Sequence, residues 1–138
     1  MTERSLTGSC LCGAVTYRLT GPFRPVIGCH CQQCRKTSGH FVAATGVARN
    51  KITIEGHVSW YQSSPEARRG FCAVCGSSLF WDGEGSSTLA VMAGTLDGPT
   101  GLSTAGHIFV ADMGDYYELD PDLPQAQGDD PSLTTQVE

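Results

Sequence analysis

Short runs in which apolar and polar positions alternate recur along the chain, each closed by glycine or another turn-forming residue. In the run from Ala14 to Leu19, Val15, Tyr17 and Leu19 share one face while Thr16 and Arg18 share the other, the period-two pattern of a half-buried strand. The stretches HFVAATGV (40–47), KITIEG (51–56), HVSWYQ (57–62), SLFW (78–81), TLAVMAG (88–94) and HIFVA (107–111) read as further strands. They recur about every ten residues with turns between, which predicts an all-β fold of short antiparallel strands. The one candidate for helix is a short turn from Gln32 to Gly39. The chain has no long amphipathic helix and no internal repeat beyond its cysteine pairs.

Composition agrees with that reading. Seventeen glycines and seven prolines against 17% charged residues describe a turn-rich β protein, and 40% hydrophobic content suffices for a core. At 138 residues a single domain is expected. After Leu123, Pro124 and Gln125 the chain continues AQGDDPSLTTQVE, polar and acidic, so the domain is expected over 1–125 and a disordered tail over 126–138. No apolar run approaches the roughly 20 residues of a membrane span. The opening MTERSLTGSC lacks the pattern of a signal peptide, so a cytoplasmic protein is expected, with no membrane partner.

The net charge of −5 conceals an asymmetry. All nine Lys and Arg residues lie at or before Arg69, with three of the fourteen acids; the remaining eleven acids follow, with no basic residue among them. Two halves of opposite sign can attract within one fold, or the basic half can line a pocket for a small anion. An acidic molecule without a basic stripe is not expected to bind nucleic acid.

Seven cysteines, an odd number, do not make a disulfide framework in a reducing compartment; clustered thiols there point to metal or redox chemistry. They fall into three groups: Cys10-Leu11-Cys12-Gly13, Cys29-His30-Cys31-Gln32-Gln33-Cys34 and Cys72-Ala73-Val74-Cys75-Gly76. In the first and third, Gly follows the last cysteine, where a metal knuckle turns sharply and a positive φ is wanted. Two such knuckles supply four thiolates, a closed tetrahedral zinc site that is structural in kind. Cys29, Cys31 and Cys34 remain. Three protein ligands with the fourth position open are the usual complement of a catalytic zinc. The spacing also allows, less favoured than the open site, a second closed site completed by His30, His40 or His107, or a metal-free redox cluster. His30, flanked by two ligands, is expected to point away from any metal they bind.

These residues together resemble the glutathione-dependent formaldehyde-activating enzyme family, also called the centromere-protein-V-like domain. The resemblance is carried by GSCLCGAVTY, CHCQQCRKTSGH, RRGFCAVCGSSLF and HIFVADMGDYYELDPDLPQ, in that order, from about Ser5 to Gln125. It implies a β-tent fold and two zinc ions per chain, one on Cys10, Cys12, Cys72 and Cys75 and one on Cys29, Cys31 and Cys34. It also implies a carbon–sulfur lyase that joins formaldehyde to glutathione, forming or cleaving S-(hydroxymethyl)glutathione. Where the family carries Lys and Trp before its C-terminal aromatic pair, this chain has Met113 and Tyr116. On that reading Cys29, Cys31 and Cys34 form the catalytic centre, and His40 or His107 shuttles a proton at a pKa near neutrality. Arg35, Lys36 and Arg69 are the expected cations for the carboxylates of glutathione, with Arg68 a further candidate. The alternative is a non-enzymatic zinc scaffold that binds a protein partner.

Overall fold

The computed structural model describes residues 4–135; the first three residues of the N-terminal reading and the last three of the expected tail lie outside the described residues. Ten strands form two sheets: β1 (Ser5–Ser9), β2 (Thr16–Thr20), β3 (Val26–Cys29), β4 (Val42–Ala48), β5 (Ile52–Glu55), β6 (Ser59–Ser64), β7 (Ala67–Phe71), β8 (Ser78–Gly83), β9 (Thr88–Met92) and β10 (Thr104–Ile108). The α-helices are α1 (Gln32–Ser38) and α2 (Pro131–Thr134). The small sheet has the order β1-β2-β5 and the large one β10-β3-β4-β9-β8-β7-β6. The all-β expectation holds, and α1 falls on the expected helical turn, ended by Gly39 at φ 84°. The expectation of purely antiparallel strands needs one correction, because β10 pairs with β3 in parallel. Residues 30–103 separate these neighbours, so there is ample chain for a return in the same direction.

Alternation explains why the sheets stack. Val15, Tyr17 and Leu19 are buried as the period-two reading requires, and with Leu6 they face Val47, Leu79, Phe80, Leu89 and Val91 of the large sheet. Burying a side chain of this size contributes roughly 1.5–3 kcal/mol. Strands β1, β3 and β7 escape the pattern because their sequences, SLTGS, VIGC and ARRGF, carry small or charged residues where alternation would need apolar ones. Neighbours supply their hydrogen bonds.

The expected disordered tail is not found over 126–135. His107 N–H donates to the Pro124 carbonyl and Ala126 N–H to that of His107, so the chain lies beside β10. Asp130 caps α2, and Leu133, only 4% exposed, packs on Ile27 and Ile108. One apolar anchor inside a polar segment holds the tail down, and Gly106 of β10 lacks the side chain that would meet Leu133. Among the described residues, no helix is long and apolar enough to cross a membrane.

Candidate metal centres and the cleft beside them

The two Cys-turn-Gly units form one cluster. Gly13 and Gly76 take φ of 81° and 79°, the positive values that the knuckle reading asks of them. Each knuckle closes alike: Cys10 N–H donates to the Val15 carbonyl, and Cys72 N–H to that of Ser77, both at 3.0 Å. The four sulfurs lie within 4.8 Å of one another. Cys12 Sγ stands 3.7 Å from Cys10 Sγ and 3.8 Å from Cys72 Sγ. A tetrahedron with metal–sulfur bonds of about 2.3 Å has an edge of about 3.8 Å, which these two separations match, so the donor set fits zinc. Val15 N–H donates to Cys10 Sγ at 3.3 Å, and Ser77 Oγ contacts Cys75 Sγ at 3.2 Å. That hydroxyl, helped by backbone N–H groups, brings the Cys75 thiol down to about 5. Cys10 and Cys72 are both buried in the main core, so the cluster joins the β1–β2 hairpin to the β7–β8 hairpin.

Cys29, Cys31 and Cys34 form the second cluster, again with all sulfurs within 4.8 Å. Cys29 ends β3, Cys31 is the cap of α1, and Cys34 is buried in that helix's first turn; Cys34 N–H donates to Cys31 Sγ at 3.4 Å. Hydrogen bonds from Cys29 and then Cys34 draw the Cys31 thiol down to about 2. Hydrogen bonding with Cys31 pushes Cys29 the other way. Among the described residues no histidine joins this set. His30 turns away, as expected of a residue between two ligands, and is fully buried. Its Nδ1 meets the Tyr117 hydroxyl at 2.5 Å and its Nε2 meets His107 Nδ1 at 2.9 Å. Burial lowers the pKa of both imidazoles, His30 to about 4.

The other expected site residues divide. Arg69 is 9% exposed and places Nη2 3.7 Å from Cys34 Sγ and 3.4 Å from Gln33 Oε1. It also lines a cleft of about 290 Å³ with Val42, Tyr61, Phe71, Phe80 and Met92. Val42 and Met92 belong to the packed cluster of Cys29, Cys31 and Cys34, and with Arg69 they place this cleft beside that cluster. Arg35 instead donates to the Asp112 carbonyl at 3.0 Å, and Lys36 is exposed on α1. Arg68 lies over the Trp60 ring at 4.0 Å and pairs with Asp82, an ordinary surface arrangement. His40 is exposed and bonded through Nδ1 to the Tyr116 hydroxyl at 2.8 Å.

Arg24 was not among the sequence candidates. It precedes β3, and its N–H donates to the Gly46 carbonyl. Its side chain crosses the face of β4 above Gly46, where a Cβ would stand 3.6 Å from Arg24 Nε. Ala44 and Val42, on that same face, pack on the cysteine cluster. The sequence signal available was the run Val26-Ile27-Gly28 leading into Cys29, which makes β3 a buried strand with Arg24 at its mouth.

A β fold carrying two thiol clusters that could each hold a metal, one of four cysteines and one of three beside a cleft, defines a class of small thiol-cluster proteins. Residues 5–112 match the family model described as glutathione-dependent formaldehyde-activating enzyme, and the chain belongs to that family. A Halomonas elongata protein named for glutathione-dependent formaldehyde activation is 36% identical over 86 residues, covering 54% of each chain. This chain therefore spans about half the length of that relative. A Schizosaccharomyces pombe protein described as an uncharacterized lyase is 26% identical over 114 residues, covering 81% of this chain and 83% of its own. The crystal structure of a Rhodobacter sphaeroides protein superposes with a TM-score of 0.55 at 22% identity, over 71% of this chain and 97% of that one; it supports the fold.

Proposed function

We propose that this protein is a zinc-dependent carbon–sulfur lyase that forms or cleaves a thiol–aldehyde adduct of the S-(hydroxymethyl)glutathione type. Family membership supports the reaction class. The observation that carries the site is the convergence of Cys29, Cys31 and Cys34 beside a cleft and against the Arg69 guanidinium. Cys10, Cys12, Cys72 and Cys75 would hold a structural zinc, and Cys29, Cys31 and Cys34 a catalytic one. Bound there, zinc supplies a soft cation that keeps a substrate sulfur as thiolate at neutral pH.

The chain's own groups do the rest. Joining thiol to aldehyde makes one S–C bond and breaks the C=O π bond, and the thiol proton ends on the new hydroxyl. His40, exposed and bonded to Tyr116, is the residue we assign to move that proton. His107, 5% exposed and bonded to His30, orients that ring rather than meeting substrate. Arg69 serves the sulfur end, while Lys36 and the free N–H groups of Arg35 remain for the carboxylates of glutathione.

Exchange NMR on a mixture of formaldehyde and glutathione tests the reading, run without protein, with zinc-loaded protein and with Cys34→Ala. Exchange faster than the spontaneous background, lost in the variant, is the expected result. No acceleration would remove these substrates. The scaffold reading draws on Leu11 and Val74, the knuckle-tip residues, which are 89% and 79% exposed; it would gain ground if the second metal took no added thiol.

A further inference from the structure

Arg69 touches the Cys29–Cys31–Cys34 centre and Arg24 lies over the strand packed on it, and among the described residues neither guanidinium has a carboxylate partner. Arg69 reaches Cys34 Sγ at 3.7 Å with Nη2, and its Nε is buried without a hydrogen-bond partner. Arg24 donates to the Ala44 carbonyl at 2.8 Å, and its Nε is likewise buried and unpartnered. The Arg24 side chain lies over β4, whose Val42 and Ala44 pack on the cysteines, and Arg69 belongs to β7, beyond β9 and β8 in the same sheet. Burial works against the charge of Arg24.

Buried charge without a counter-ion is costly, so the pair must be read with what the cysteines hold. This step rests on the reading that they hold a divalent metal. Such a metal with three thiolates carries one net negative charge, which leaves one guanidinium unbalanced. Water or a neutral nitrogen ligand in the fourth position leaves that imbalance in place. A thiolate removes it, because a metal with four thiolates carries two negative charges against two guanidiniums. We infer that Arg24 and Arg69 together select an anionic sulfur as the fourth ligand of this centre, in preference to water or imidazole. Arg69 thereby acts at the substrate's sulfur and not at its carboxylates, and Arg24 is a specificity-determining residue that touches no substrate atom.

The test uses full-length protein loaded with cobalt(II), titrated separately with 2-mercaptoethanol, which carries no charge besides the thiolate, and with imidazole. The closed four-cysteine site does not respond to added ligand, so spectral change reports the second centre. Wild type should bind the thiol with growth of sulfur-to-cobalt charge-transfer absorption. Arg24→Met and Arg69→Met should each weaken thiol binding about tenfold, equivalent to about 1.4 kcal/mol, and leave imidazole binding unchanged or tighter. Arg24→Lys should keep the preference, because it keeps the charge. Should Arg24→Met fail to load two metals, Arg24→Gln carries the same comparison. An unchanged ratio of thiol to imidazole affinity in the neutral variants would overturn the selection but leave the open centre standing. Equal weakening of both ligands, or loss of preference in Arg24→Lys, would reduce the arginines to packing and overturn it as well. Wild type that takes no thiol at all would overturn both the selection and the open centre.

Discussion

Removing one ligand from each cluster should produce unequal damage, and the structure says by how much. Cys12 and Cys72 are 60 residues apart in sequence, and their sulfurs meet at 3.8 Å. A cross-link closing a loop of that length removes about 4 kcal/mol of chain entropy from the unfolded state. Cys29 and Cys34 are five residues apart, and the same relation gives about 2 kcal/mol. In a domain of this size 1 kcal/mol corresponds to about 4 °C in Tm. Cys72→Ala should therefore lower Tm by roughly 15 °C or more, with loss of one zinc. Cys34→Ala should lose the other zinc at half that cost or less, and keep the fold. Calorimetric melts with metal content by mass spectrometry make the comparison. If Cys34→Ala melts as low as Cys72→Ala, the division into a stapling metal and a working metal is wrong.

Three further outcomes follow from the packing. Burial raises the Tyr17 hydroxyl to about 12, against its bond to Thr95 at 2.5 Å, so the folded state holds this proton longer than the unfolded chain does. Its contribution is complete below pH 10 and is lost as pH rises toward 12, on the order of 3 kcal/mol, and urea unfolding at pH 8 and pH 11 should show a fall that Tyr17→Phe reduces. Leu133→Ala should cost about 2–4 kcal/mol in denaturant unfolding; no change would mean that residues 126–135 are not held on Ile27 and Ile108. A Cβ at Gly28 would stand 2.4 Å from His107 Nδ1, so Gly28→Ala should displace the His107 ring from His30, shift the imidazole NMR signals of both and cost about 1–3 kcal/mol.

The sequence by itself determined the elements whose signal is local. Val15, Tyr17 and Leu19 face inward because a pleated strand alternates, and nothing distant is needed to say so. Gly13 and Gly76 mark the knuckles because a positive φ excludes most side chains, which is why the closed cluster was legible from two short motifs. The grouping of Cys29, Cys31 and Cys34 was fixed by a spacing too short to do otherwise. What surrounds that group was decided only by tertiary structure. Pairing across the large sheet brings Arg69 of β7 to Cys34 and lays Arg24 over β4, whose Ala44 packs on the same cluster, and no spacing encodes that approach. The same holds for His107, whose parallel strand places it against His30, and for the tail, where a single Leu133 finds the gap above Gly106. Composition reads 126–135 as too polar to fold because it counts apolar residues in the segment, whereas burial depends on whether one of them meets a matching surface elsewhere in the chain.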